Sequence, residues 1–193
     1  MRHAILILFL SSVLAGGVRA ESATHPEDLP VMGSEHTTFD RFYVHATSKN
    51  HNLDEYYARR LFESYTVECA TEGVSQVVAL SQMIHETDYL LFTGAVRPTQ
   101  YNYAGLGSTS EGVAGLNFGT MDQGVRAHVQ HLTAYGSEAP LVGALADPRF
   151  RYVVRGSAPT VMALSGKWAV DPGYGQKILA HAYRLIVPAN VPK

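Results

Sequence analysis

The chain lacks most of what would tie it to a metal, a membrane or a nucleic acid. It has one cysteine, Cys69, so no disulfide can form within it. That cysteine follows a helical stripe and is expected as a small buried filler, with no basic surroundings to make it a nucleophile. No Lys/Arg run occurs among its 15 basic residues, and 17 acidic residues outweigh them. A patch for nucleic acid or anionic lipid is therefore excluded. After the first twenty residues no segment approaches the roughly 20 apolar residues of a spanning helix, so no membrane anchor is expected. There is no Gly-x-Ser-x-Gly turn, and His85-Glu86 lacks a second histidine four residues on, so the metalloprotease helix motif fails.

What is present begins with a basic start, Met1-Arg2-His3, an apolar stretch from Ala4 to Gly17, and Val18-Arg19-Ala20. That order predicts a secretory signal peptide over residues 1–20, and hence a periplasmic or secreted mature protein. Losing Arg2 and Arg19 would move the formal charge from −2 to −4. Residues 21–36 are polar, with Pro26, Pro30 and Gly33, and read as a linker. Residues 37–193 then form one domain with no internal repeat.

Helical periodicity dominates that domain. Phe39, Phe42, Tyr43 and Ala46 share a face behind a threonine cap. Asn52-Leu53-Asp54-Glu55 has the form of a capping box, and Leu53, Tyr57, Leu61 and Tyr65 follow it at helical spacing. Gly73 ends that helix and Ser75 caps the next. The next, VVALSQMIHETDYLLF, is apolar nearly all round, which predicts a central core helix stopped by Gly94. Residues 94–120 collect Gly94, Gly105, Gly107, Gly112, Gly115 and Gly119, giving a loop-rich lobe with room for a small hairpin. Thr120 caps a helix whose stripe is Val125, His128, Val129, Leu132 and Tyr135. Thr160 is expected to cap a short turn, and a last helix starts near Pro172. The fold class is mainly α, with a small glycine-rich lobe beside a central buried helix.

The chemistry concentrates on Glu86, an acid within that apolar helix. Burial raises a carboxyl pKa, and a carboxyl protonated at neutral pH is a general acid, which glycosidic cleavage requires. The plainer account has Glu86 solvated or paired with Arg97 or Arg126. Asp88, two places on, is expected to point elsewhere and to be solvated.

Three stretches in order resemble the bacterial glucosaminidase domain, glycoside hydrolase family 73. They are Glu86-Thr87-Asp88-Tyr89, then Asn102-Tyr103-Ala104-Gly105-Leu106-Gly107, then Trp168-Ala169-Val170-Asp171-Pro172-Gly173-Tyr174-Gly175-Gln176-Lys177-Ile178. The resemblance implies a lysozyme-like fold over residues 37–193 that cuts N-acetylglucosaminyl bonds in peptidoglycan glycan strands. It puts Glu86 in the place of the catalytic acid, with Tyr89 packed behind it. Asn102 to Gly107, including Tyr103 and Gly105, would line the groove floor, and Trp168 and Tyr174 would offer aromatic faces. Trp168 stands where the family usually has tyrosine, so a role needing that hydroxyl is lost or moved.

A second group must handle the anomeric centre. Glu111, in the glycine-rich lobe, is the candidate carboxylate; the substrate's own acetamido group is the other route. No cofactor or metal is required, and a monomer is expected. Two rival readings remain open at this point. One is a zinc amidase using His128 and His131, one helical turn apart. The other is an inactive cell-wall-binding module that keeps the groove.

Overall fold

A computed structural model describes residues 28–108 and 114–186. The expected signal peptide, and Glu111 with it, lie outside the described residues. The domain is mainly helical: α1 (Phe39–Thr47), α2 (Glu55–Glu72), α3 (Gln76–Glu86), α4 (Met121–Gly136) and α5 (Tyr174–Ile186). Among the described residues no strand forms; three isolated bridges, including Met32 with Val74, are the only sheet-like pairings. The hairpin allowed for in the glycine-rich lobe is absent from its described part. One 3₁₀ turn, Pro98–Gln100, stands there.

Four of the helix starts follow their caps. The side chains of Thr38, Asp54, Ser75 and Thr120 each accept a backbone N–H from the first turn, satisfying a donor that the helix leaves free. In α2 the working cap is Asp54 rather than the Asn52 of the expected box. Gly73 closes α2 at φ +72°, a left-handed conformation in which only glycine avoids a Cβ penalty. Thr160 caps nothing: the short turn Met162–Leu164 starts behind Val161 without a side-chain cap.

The core is built around α3. Every residue from Gln76 to Ile84 is buried, and α3 packs against α5, α2 and α4. Segment 28–36, read as a linker, is in its described part docked on the domain. Val31 is fully buried and donates its N–H to Pro159, while its carbonyl accepts from Ser75. The apolar residues of Pro-Val-Met outweighed the polar composition around them.

One expectation fails where it matters most. The central helix does not run to Gly94 but stops at Glu86. Thr87 turns its hydroxyl back to the Met83 carbonyl, and Asp88, Tyr89, Leu90 and Phe92 all take positive φ, from 51° to 63°. Left-handed backbone costs about 1–2 kcal/mol per L-residue. Burial of Leu90 and Phe92, each worth about 1.5–3 kcal/mol, offsets much of that. The turn is also tied down from outside: Lys49 pairs with Asp88, and the Asn50 amide donates to the Tyr89 carbonyl at 3.1 Å. Tertiary contacts thus overrule helix propensity, and Glu86 becomes a helix-terminal residue.

Candidate active site

Glu86 is the last residue of α3, partly exposed and walled by three separate segments. From α5, the Tyr174 hydroxyl donates to Oε1 at 2.6 Å. From the loop before α5, the Trp168 indole N–H donates to the same oxygen at 3.1 Å. From the glycine-rich segment, Gly105 approaches Oε2: a Cβ built there would stand 3.6 Å away. Gly105 has φ +63°, so its conformation suits glycine as its closeness does.

This gives the two carboxyl oxygens different surroundings. Oε1 is held by two neutral donors, whereas Oε2 faces the glycine backbone. Burial pushes the carboxyl pKa above its ordinary value, and the bonds from Tyr174 and Trp168 oppose that rise. Neither Arg97 nor Arg126 pairs with it; Arg126 is spent on Glu68. Burial and the adjoining carboxyl raise the Tyr174 pKa far above that of a free phenol, so the hydroxyl stays neutral and donates. Trp168 supplies an N–H at a position where a tyrosine hydroxyl was expected.

The other expected residues divide. Asn102 is fully buried and all of its side chain is used within the loop. Its amide donates to the carbonyls of Leu106 and Leu116, and its carbonyl oxygen accepts from the N–H groups of Leu106 and Ala104. It shapes the segment that presents Gly105 rather than facing a groove itself. Tyr103 is likewise buried, its hydroxyl 3.1 Å from that of Tyr57. Tyr89, displaced by the left-handed turn, packs its ring edge-on against His45 and His181. Asp88 forms an ion pair with Lys49 and accepts from the Thr93 hydroxyl, which lowers its pKa. It points away from Glu86 as expected, but because the helix has ended and not because of helical spacing.

The two histidines weighed as zinc ligands are already engaged. His128 is fully buried, with Nδ1 at 2.7 Å from the Tyr65 hydroxyl and Nε2 at 2.8 Å from the Gln82 carbonyl oxygen. His131 bonds Asp147 at 2.6 Å and packs under the Trp168 ring. Among the described residues no group of three His, Cys, Asp or Glu could hold a metal ion.

Sequence reasoning missed Gln82, whose amide donates to the Tyr174 hydroxyl at 2.7 Å. The signal was available: Gln82 stands four residues before Glu86, on the same helix face. It also missed a cluster of His45, His85 and His181. His45 Nε2 lies 3.0 Å from His181 Nδ1, and the His85 ring packs against both His181 and Tyr174. No periodicity links those three positions.

Comparison with known proteins gives the family. The family model for glucosaminidase, described as mannosyl-glycoprotein endo-beta-N-acetylglucosaminidase, matches residues 62–186. A protein of Borreliella burgdorferi, described only as uncharacterized, is 40% identical over 144 residues, covering 75% of this chain and 71% of its own length. No solved structure matches. Because the family match takes in more than half of the chain, from the middle of α2 to the end of α5, the protein belongs to the glucosaminidase family of glycoside hydrolases.

Proposed function

We propose that the protein is an exported endo-beta-N-acetylglucosaminidase that cuts peptidoglycan glycan strands, with Glu86 as its general acid. The observation carrying this is the asymmetry of the Glu86 carboxyl. One oxygen is fixed by Tyr174 and Trp168, and the other is turned to Gly105, where no side chain intervenes. Partial burial without a cation favours the protonated form, which the reaction needs at the start.

In this reading Glu86 Oε2 passes its proton to the glycosidic oxygen as the C1–O bond breaks. Positive charge develops at the anomeric carbon, and a water adds there, its proton eventually restoring Glu86. Either Glu111 or the substrate acetamido group stabilises that centre. The Tyr174 and Trp168 donors serve the carboxylate left behind. Gly105 lets the sugar approach the backbone.

The test is digestion of purified peptidoglycan by wild-type protein and by Glu86→Gln, with products reduced by borohydride and weighed. Reducing-end N-acetylglucosamine, diminished at least about a hundredfold in the variant, is the expected result. Reducing-end N-acetylmuramic acid would keep the acid and change the bond. Free stem peptides, or binding without any product, would replace this reading with an amidase or a binding module.

A further inference from the structure

Behind Glu86 lies a line of buried polar groups that general acid catalysis does not by itself require. Tyr65 on α2, His128 on α4, Gln82 on α3 and Tyr174 on α5 are bonded in sequence, at 2.7, 2.8 and 2.7 Å, and Tyr174 reaches Glu86 at 2.6 Å. With the Gln82 amide nitrogen on Tyr174 and its carbonyl oxygen on His128, the direction of every bond follows. The Tyr174 oxygen accepts from the Gln82 amide, so its single hydrogen goes to Glu86. The Gln82 carbonyl oxygen carries no hydrogen, so His128 Nε2 must donate to it. Burial lowers the His128 pKa to about 3, so the ring is neutral, Nδ1 is bare, and Tyr65 donates to it. Four donations follow one another, all towards Oε1.

The charged and titratable groups around the line leave it uncharged. Tyr65 is faced by Tyr103, Tyr57 and Cys69, whose pKa values burial raises, so they are uncharged. His128 is faced by the Trp168 ring and by His131, which bonds Asp147. Tyr174 is faced by His85 and Tyr135.

We propose that Gln82, His128 and Tyr65 are positioning residues that fix the polarity of the Tyr174–Glu86 hydrogen bond and so keep the transferable proton on Oε2. With the line reversed, the Tyr174 hydrogen would go to Gln82, and its oxygen would face Oε1 lone pair to lone pair. Only a proton on Oε1 relieves that, and such a proton points away from Gly105 and the open side. The forward line excludes this idle arrangement. The inference rests on Glu86 being the acid.

The direct test leaves activity aside. Ring-nitrogen NMR of His128 in the wild-type protein should show the Nε2–H tautomer, unprotonated from pH 8 to pH 4; an Nδ1–H tautomer would overturn the proposal. Kinetics then grade the line. Gln82→Met should lower kcat about fivefold with KM unchanged, His128→Phe less, and Tyr65→Phe about twofold. His128→Gln, which restores an N–H donor, should recover part of the loss. Without the Gln82 donor behind it, Tyr174 is less polarised and its bond to the carboxylate weakens, which raises the carboxyl pKa. The alkaline limb of the kcat profile should therefore move up by about half a unit in Gln82→Met. Folded variants with unchanged kcat and an unmoved limb would sink the proposal. Full activity in Glu86→Gln would instead sink the reading of the site, while the tautomer result would still report on the line.

Discussion

Two regions of this protein bury carboxylates in helices, and they treat them in opposite ways. On α2, Glu68 and Glu72 are 5% and 7% exposed. Glu68 is gripped by both arms of the Arg126 guanidinium, at 2.9 and 3.1 Å. Glu72 accepts the backbone N–H groups of Val142 and Gly143, each at 3.0 Å, and the Gln130 amide. Both acids tie α2 to α4 or to the loop beyond it. At the end of α3, Glu86 receives a phenol and an indole on one oxygen, no cation, and a glycine opposite the other. A cation or converging backbone dipoles make a buried acid a fastener. Neutral donors on one side only leave it free to take up and release a proton.

The widest separation between the two regions should come from paired substitutions. Glu86→Gln is expected to cost at least about a hundredfold in turnover with little loss of stability, since the amide still accepts from Tyr174 and Trp168. Glu72→Ala should do the reverse. It leaves two backbone N–H groups without their acceptor, costing about 2–3 kcal/mol in denaturant unfolding, with turnover per folded molecule unchanged. A loss of turnover in Glu72→Ala would break the comparison. The Glu86 pKa is raised in the fold, so the stability it contributes is present at low pH and is lost as pH rises through the folded value. The melting temperature of Glu86→Gln relative to wild type should therefore rise with pH above about 4.5, the ordinary value.

Acid should next reveal the buried histidines. Burial lowers the pKa of His45 and of His181 to about 4, and that of His128 to about 3, from 6.5. Lowered values mean stability that is present above pH 6.5 and lost as pH falls, because the unfolded chain takes up protons the fold refuses. Thermal melts from pH 7 to pH 4 should show Tm falling steadily, with a loss on the order of a few kcal/mol. A flat Tm over that range would mean that these rings are not held neutral. The smallest effect is expected outside both regions. Lys49→Ala removes a half-exposed ion pair from the left-handed turn and should cost about 0.2–1 kcal/mol, less in high salt.

Much of the fold was legible because its signals are local. A threonine ahead of Phe39, Ser75 and Thr120 mark helix starts, Gly73 marks a stop, and the all-round apolar pattern of Val77 to Ile84 marks the core helix. Cys69 was readable as filler for the same reason. Illegible were the true end of α3, where burial of Leu90 and Phe92 outweighs backbone preference, and the docking of Val31. Asn102 was misjudged because an amide that organises its own loop looks, in one dimension, like an amide free to bind.

By itself, then, the sequence determined the helical class, most of the caps, the family and the position of the one acid in an apolar helix, all set by neighbours a few residues apart. Only the tertiary structure decided what that acid meets. Tyr174 and Trp168 lie 88 and 82 residues further along the chain, and the line back through Gln82 and His128 to Tyr65 crosses four helices. Hydrogen-bond partners at such separations are selected by helix packing, which no local pattern encodes.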